Sequence, residues 1–342
     1  MDGYDILKHV HGQEGEAVLA TLLAVEGHSY RKPGASMLLL PGDGRIGSLS
    51  PGCIDSDLQE RALALLAHDR SEVVTYNLQP EEDAVWGEEI GCGGKLRVLL
   101  EPLYTSLRHK LSDAYLEVEA GREAVVTRYV STIDGEVASM YSPRPRLFVF
   151  GADDGSRPIV ELATLCGFRV AVGDWRAAYC HSERYPTAAC DVGNAAELIE
   201  RLAVGCEDYI VICSHHTRRD REILELALAI RPVYLGVMGS SSRIKRLFDG
   251  LPMPSWVHAP IGVPIGADGP QQIAVSVVAE LIAHRSHIHR EQEVKRDGIR
   301  RHLFGGGKRE ADGVAQAVPD ACPWQPASRR DRASEHAGLR QG

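Results

Sequence analysis

The sequence predicts an α/β chain in two parts, a small mixed α/β domain over residues 1–143 followed by a doubly wound parallel sheet over residues 146–286. Three observations predict it. After Arg146 short apolar runs alternate regularly with stretches of helical period, and Pro143 and Pro145 stiffen a linker between the two halves. The first of those runs ends in the turn Gly151-Ala152-Asp153-Asp154-Gly155, and Asp174 follows about 20 residues on, the spacing of a Rossmann-like nucleotide fold.

Residues 3–12 begin the first domain as a short helix. Residues 17–25 are an apolar strand broken at Gly27, and residues 35–40 a second strand. That strand ends in Pro41-Gly42-Asp43-Gly44, a turn where glycine takes positive φ without a Cβ clash. A third short strand runs into Ser50-Pro51-Gly52-Cys53. Beyond it Ile54, Leu58, Ala62, Leu63, Leu65 and Leu66 recur at helical spacing, which puts Cys53 at or near a helix N-terminus. Strands at 72–78 and 96–100, a helix at 106–121, and strands at 123–130 and 137–141 around an Asp134-Gly135 turn complete this half.

In the second half strands are expected at 146–150, 168–172, 208–213 and 233–237, in a sheet of order 3-2-1-4-5. Cys180 and Cys190 fall in an irregular stretch, residues 258–262 form a last loop, and Pro270 suits the first turn of a helix ending near His284. Residues 305–342 are Gly-rich, polar and mixed in charge, the composition of a disordered tail.

Composition excludes several classes. With 342 residues, 44% hydrophobic and 25% charged, the chain reads as an ordinary globular protein of about two domains. A net charge of -9 without a basic stripe argues against a nucleic-acid binder. Eight cysteines scattered along a long chain suit a reducing compartment. No signal-like apolar stretch and no run of roughly 20 apolar residues appears, so a cytoplasmic protein without membrane contact is expected.

Residues 27–53 concentrate the candidate chemistry. Cys53, at a helix start where unpaired N–H groups favour a thiolate, is suited to be a reactive thiol or a soft-metal ligand, and Gly52 leaves its approach open. Arg31, between Tyr30 and the Pro33-Gly34 turn, is placed for a phosphate or carboxylate. Cys92 lies between glycines, where backbone approaches a ligand closely. In the second half Gly151, Asp174 and the 214–217 loop with His215 converge at the carboxyl ends of the strands, the ligand-binding end of open α/β sheets. Asp174 suits either a ribose anchor or a strand-end cap. His215 and His216 are adjacent and do not make a zinc pair, while Cys166, Cys206 and Cys213 fall on apolar faces and suit packing.

Several spaced blocks in this order carry a family resemblance: residues 27–53, Gly91-Cys92-Gly93-Gly94, Leu99-Leu100-Glu101-Pro102, Asp174-Trp175-Arg176, residues 214–220, Gly236-Val237-Met238-Gly239, residues 258–262, Ile265-Gly266 and the Pro270 helix. On these the chain resembles the xanthine dehydrogenase accessory factor family, also called XdhC/CoxI. The resemblance implies a maturation factor more than a catalyst. Such a factor binds the molybdenum cofactor (molybdopterin), protects it during sulfuration and delivers it to a xanthine dehydrogenase-type molybdenum hydroxylase. It further implies a homodimer, a cysteine desulfurase as a second partner, and Cys53 as the catalytic thiol and molybdenum ligand. Arg31, Gly52, Cys92, Gly151, Asp174 and His215 then join it in cofactor binding. The alternative is an NAD(P)-dependent oxidoreductase working through the second domain. Asp153, whose carboxylate opposes a pyrophosphate in the glycine turn, and the absence of a proton-relay motif stand against it.

Overall fold

In the computed structural model, residues 2–52, 54–66, 70–78 and 94–304 are described. Cys53, Cys92 and the 305–342 tail, all singled out above, lie outside the described residues. The chain divides into two compact units, Met1–Arg144 and Pro145–Gly342.

The first unit contains α1 (Asp2–Gly12), β1 (Val18–Glu26), β2 (Ser36–Leu39), β3 (Arg45–Ile46), α2 (Asp55–Leu66), β4 (Glu72–Asn77), β5 (Lys95–Pro102), α3 (Thr105–Glu119), β6 (Ala124–Val130) and β7 (Gly135–Tyr141). Its main sheet runs β3-β2-β1-β5-β4, antiparallel throughout. The nearly unbroken apolar run of β1 is explained by burial on both faces. Val18, Ala20 and Leu22 pack under Leu58, Ala62 and Leu65 of α2. Leu19 points the other way, into Ile6, Leu7 and Val10 of α1 and Leu111, Ala114 and Val118 of α3. The β6–β7 hairpin alternates strictly between buried and exposed, with Asp134 in the left-handed region (φ 48°) at its turn.

The second unit contains β8 (Arg146–Phe150), α4 (Ser156–Leu165), β9 (Arg169–Asp174), β10 (Ala189–Val192), α5 (Ala195–Arg201), β11 (Tyr209–Ile212), α6 (Thr217–Ile230), β12 (Tyr234–Val237), α7 (Ser241–Leu247), β13 (Val257–His258) and α8 (Gly269–Phe304). All its strand pairs are parallel, in the order β10-β9-β8-β11-β12-β13. Numbered within the unit this is 3-2-1-4-5-6. The doubly wound parallel sheet is therefore as the sequence predicts, with helices on both faces. Leu147, Val149, Val172 and Val211 pack on α4 and α8, whereas Phe148, Phe150, Ile210 and Ile212 pack on α5, α6 and α7.

Three local expectations are corrected. Cys190 sits in the edge strand β10 and not in an irregular stretch. Val257 and His258 pair with Leu235 and Gly236 as a sixth strand, so residues 258–262 are not wholly loop. The last helix continues to Phe304, since neither proline nor glycine interrupts residues 271–297 to stop it at His284. Among the described residues no helix is long and apolar enough to cross a membrane.

Candidate functional site

Two clusters of predicted residues take shape, one in each unit. In the first, the loop after β1 turns at Gly27 (φ 79°) and returns through Gly34, whose N–H donates to the Leu22 carbonyl at 2.8 Å. Arg31 lies half-buried in this loop, its N–H donating to Ser29 Oγ at 3.3 Å. Gly94, last of the Gly91–Gly94 run, leaves no room for a Cβ because the His28 backbone carbonyl lies against it. Two of the sequence blocks thus meet, backbone to backbone.

Close to the start of α2, Ser50 organises the turn that carries Gly52. Its Oγ accepts from the N–H groups of Gly52 (3.0 Å) and Ile54 (3.4 Å) and donates to Asp55 Oδ1 at 2.8 Å. Asp55 is 1% exposed and faces Arg45 at 3.6 Å. Gly52 takes φ 127°, a value open to glycine and strained for other residues, with open space where a Cβ would stand. The residues on either side of position 53 are therefore fixed by a buried serine–aspartate pair.

In the second unit Gly151, Asp174 and Ser214, which opens the 214–217 loop, come together at the carboxyl ends of the parallel strands, in a small cleft lined also by Trp175, Asn194 and Arg219. Gly151 (φ 125°) packs so closely on the Ser214 backbone that a Cβ would stand 2.5 Å from its Cα. Asp174 is committed within the protein. Its Oδ2 accepts from the Ala152 N–H (2.7 Å) and Arg176 Nη2 (2.9 Å), and its Oδ1 from the Arg176 N–H (2.8 Å) and Nε (2.9 Å). This is the geometry of a strand-end cap that closes the glycine turn, and a ribose hydroxyl would have to compete with it. The Arg176 guanidinium also stacks over Trp175 and Tyr179, 4.4 Å from each ring centre.

Asp153 occupies the place where a dinucleotide pyrophosphate meets the first helix. Its Oδ1 accepts from the Ser156 N–H at 2.8 Å, so a backbone donor in the first turn of α4 is already bound to a carboxylate. Its other oxygen faces His215 Nε2 at 3.9 Å. His215 is half-exposed in a left-handed backbone conformation (φ 59°), its carbonyl accepting from Arg243 Nη1 at 3.1 Å. Beneath it Asp220, 1% exposed, accepts from the Ser214 hydroxyl and from Arg243 Nη2. Burial pushes the Asp220 carboxyl up, against the pull of Ser214 and Arg243. His216 caps α6, its Nδ1 accepting from the Arg219 N–H at 3.4 Å.

Asp220 and Arg243 are the supports that sequence reasoning missed. Asp220 nevertheless leaves a trace, since it stands on the apolar stripe of α6 with Ile223, Leu224, Ala227 and Ile230, where a carboxylate needs a buried partner. Cys213 is 1% exposed and its thiol is held protonated by burial, as suits a packing residue. Cys166 is half-buried and packs against the core of the second unit, and Cys206 is half-buried. No cluster of three metal-binding side chains occurs among the described residues.

A parallel six-stranded domain of dinucleotide topology, its phosphate turn occupied by its own carboxylate, follows a separate mixed α/β domain. The chain belongs to the XdhC and CoxI family. The profile of that family matches residues 11–77, and the XdhC Rossmann domain profile matches residues 147–281. A protein of Bacillus subtilis (strain 168), named as a probable subunit of xanthine dehydrogenase, is 34% identical over 311 residues, 80% of this chain and 94% of that protein. The molybdenum cofactor insertion chaperone PaoD of Escherichia coli (strain K12) is 24% identical over 284 residues, 79% of this chain and 84% of its own. A solved structure described as a xanthine dehydrogenase from Bacillus halodurans superposes with a TM-score of 0.78 at 31% identity, covering 84% of this chain and 96% of that one.

Proposed function

We propose that this protein is a maturation factor that binds the molybdenum cofactor as cargo, shields it while its sulfido ligand is installed, and passes it to a xanthine dehydrogenase-type molybdenum hydroxylase. The similarity to a molybdenum cofactor insertion chaperone supports the cargo, and the similarity to a probable xanthine dehydrogenase component supports the recipient. Cys53 is assigned as the thiolate ligand of molybdenum, with Cys92 as the second soft donor and Arg31 holding a phosphate. Gly52, with open space where a Cβ would stand, is assigned to the approach to the Cys53 thiol. In the second unit Gly151 and Asp174 line the cleft, and His215, facing Asp153 on the 214–217 loop, is assigned to cofactor binding with them. A cysteine desulfurase is the sulfur donor that fits this chemistry, and the working form is a cytoplasmic homodimer of two-domain chains, residues 1–143 and 146–286.

The observation that carries this reading over an NAD(P)-dependent oxidoreductase is Asp153. A nicotinamide dinucleotide places its pyrophosphate on the N–H groups that open the first helix of the fold. Here the Asp153 carboxylate holds the Ser156 N–H, and its charge opposes a diphosphate. The residues present do not fit that cofactor.

Anaerobic addition of molybdenum cofactor, followed by the absorbance of the complex and run beside an NADH titration, tests the proposal. The wild-type chain should saturate with the molybdenum cofactor and leave NADH unbound, while Asp153→Gly should gain NADH affinity. Saturable NADH binding by the wild type, with no response to the molybdenum cofactor, would overturn the reading in favour of an oxidoreductase.

A further inference from the structure

Cys180 and Cys190 are far enough apart in sequence to belong to different elements, yet the fold sets one on the other. Cys180 ends a single helical turn after β9, its N–H donating to the Arg176 carbonyl at 3.2 Å. Its Sγ lies 3.4 Å from the Val172 carbonyl oxygen and 3.3 Å from that of Asp191. Val172 is the register partner of Cys190 in the parallel β9–β10 pair, and Asp191 is the next residue along β10. The Cys180 sulfur therefore sits between the strand residue paired with Cys190 and the residue that follows Cys190. Both side chains face the core on the α4 and α8 side of the sheet, close enough for each thiol to influence the other's titration.

The two differ in access. Cys180 is 3% exposed, whereas Cys190 is only half-buried on the edge strand. Burial pushes the Cys180 thiol up to about 12 and the Cys190 thiol upward as well, so both are protonated at neutral pH. A more accessible thiol beside a buried one is the arrangement in which the first meets an oxidant and the second resolves the product, and the raised thiols make that reaction slow at neutral pH.

We propose that Cys180 and Cys190 form a dithiol modification site that closes into an intramolecular disulfide on reaction with a peroxide. The Cys190 sulfur attacks one peroxide oxygen and the O–O bond breaks, giving a sulfenic acid and one water. The Cys180 sulfur then attacks the sulfenic sulfur, the S–O bond breaks, and the hydroxyl leaves as a second water. Both thiol protons end in the waters, the two sulfurs are oxidised to the disulfide level, and hydrogen peroxide is reduced. The closed ring contains Tyr185, whose hydroxyl bonds Ser156 at 2.9 Å and the Asp153 carbonyl at 3.2 Å. Oxidation thus ties the wall beside the Asp153 turn to β10.

The test treats the reduced full-length chain with stoichiometric hydrogen peroxide, blocks free thiols, and maps peptides without reduction. The expected product joins residues 180 and 190 and reverts with dithiothreitol. Its rate rises about tenfold per pH unit from neutrality upward, as thiolate is released. Cys190→Ser should abolish the linkage and leave Cys180 unmodified. Recovery of Cys190 as a stable sulfenic acid beside a free Cys180, or linkage of either to a third cysteine, overturns the proposal. Because the wild-type map alone decides between these outcomes, the test survives any folding defect in the variant.

Discussion

Asp57 illustrates how one carboxylate stabilises a helix start and its neighbouring strand together. In the first turn of α2 its Oδ2 accepts from Tyr76 at 2.5 Å and from Arg61 Nε at 2.7 Å. Burial pulls this carboxyl upward, but the Tyr76 and Arg61 hydrogen bonds outweigh it and hold the group below the ordinary aspartate range. A depressed folded value means that the folded chain binds fewer protons than the unfolded one. Its contribution is complete above the unfolded aspartate value, about 3.9, and is lost as pH falls through the folded value. Asp57→Asn should therefore melt below the wild type at neutral pH, with the gap narrowing through acid pH as the wild-type group protonates. A gap that stays constant down to about pH 3 would contradict the assignment. Little of this was legible in the sequence. An aspartate near a helix start is visible, but its pairing with a strand tyrosine 19 residues on is a product of packing.

At the scale of elements, the β6–β7 hairpin is seated on the main sheet of the first unit by a buried ion pair. Arg128 donates to both oxygens of Glu101 on β5 and also to Ser139 and Thr21, and the two side chains are only 7% and 8% exposed. Removing one partner strands the other in a dry setting, so Arg128→Met should cost roughly 3–5 kcal/mol in a urea melt. Adding Glu101→Leu should recover most of that loss, because an apolar pair no longer carries an uncompensated charge. A double variant as unstable as the single one would show that the hairpin is held by something else. The hairpin itself was readable from its period-two pattern and its Asp134-Gly135 turn. By contrast, β10 offers four residues, Ala-Cys-Asp-Val, and β13 only two, too few to display a period. Those strands are created by pairing with β9 and β12, which a local reading of the chain does not contain.

In the whole molecule the two units divide the chemistry. The first, covered by the family profile at residues 11–77, carries the block that ends in Cys53. The second has the topology of a dinucleotide domain with its phosphate turn occupied by Asp153. The parallel sheet, Gly151 and Asp174 were legible because each follows from spacing and from what only glycine or a carboxylate does at a strand end. The Ser214–Asp220–Arg243 support was not, since its partners come from three elements across the sheet. The central claim, that this chain carries molybdenum cofactor to a hydroxylase, is tested most directly by loading it anaerobically and mixing it with cofactor-free hydroxylase. Wild-type protein should restore hydroxylase activity, and Cys53→Ser, melting as the wild type does, should retain and deliver about tenfold less cofactor, a change of about 1.4 kcal/mol in binding. Failure of the loaded wild-type chain to activate any xanthine dehydrogenase-type hydroxylase would contradict the account.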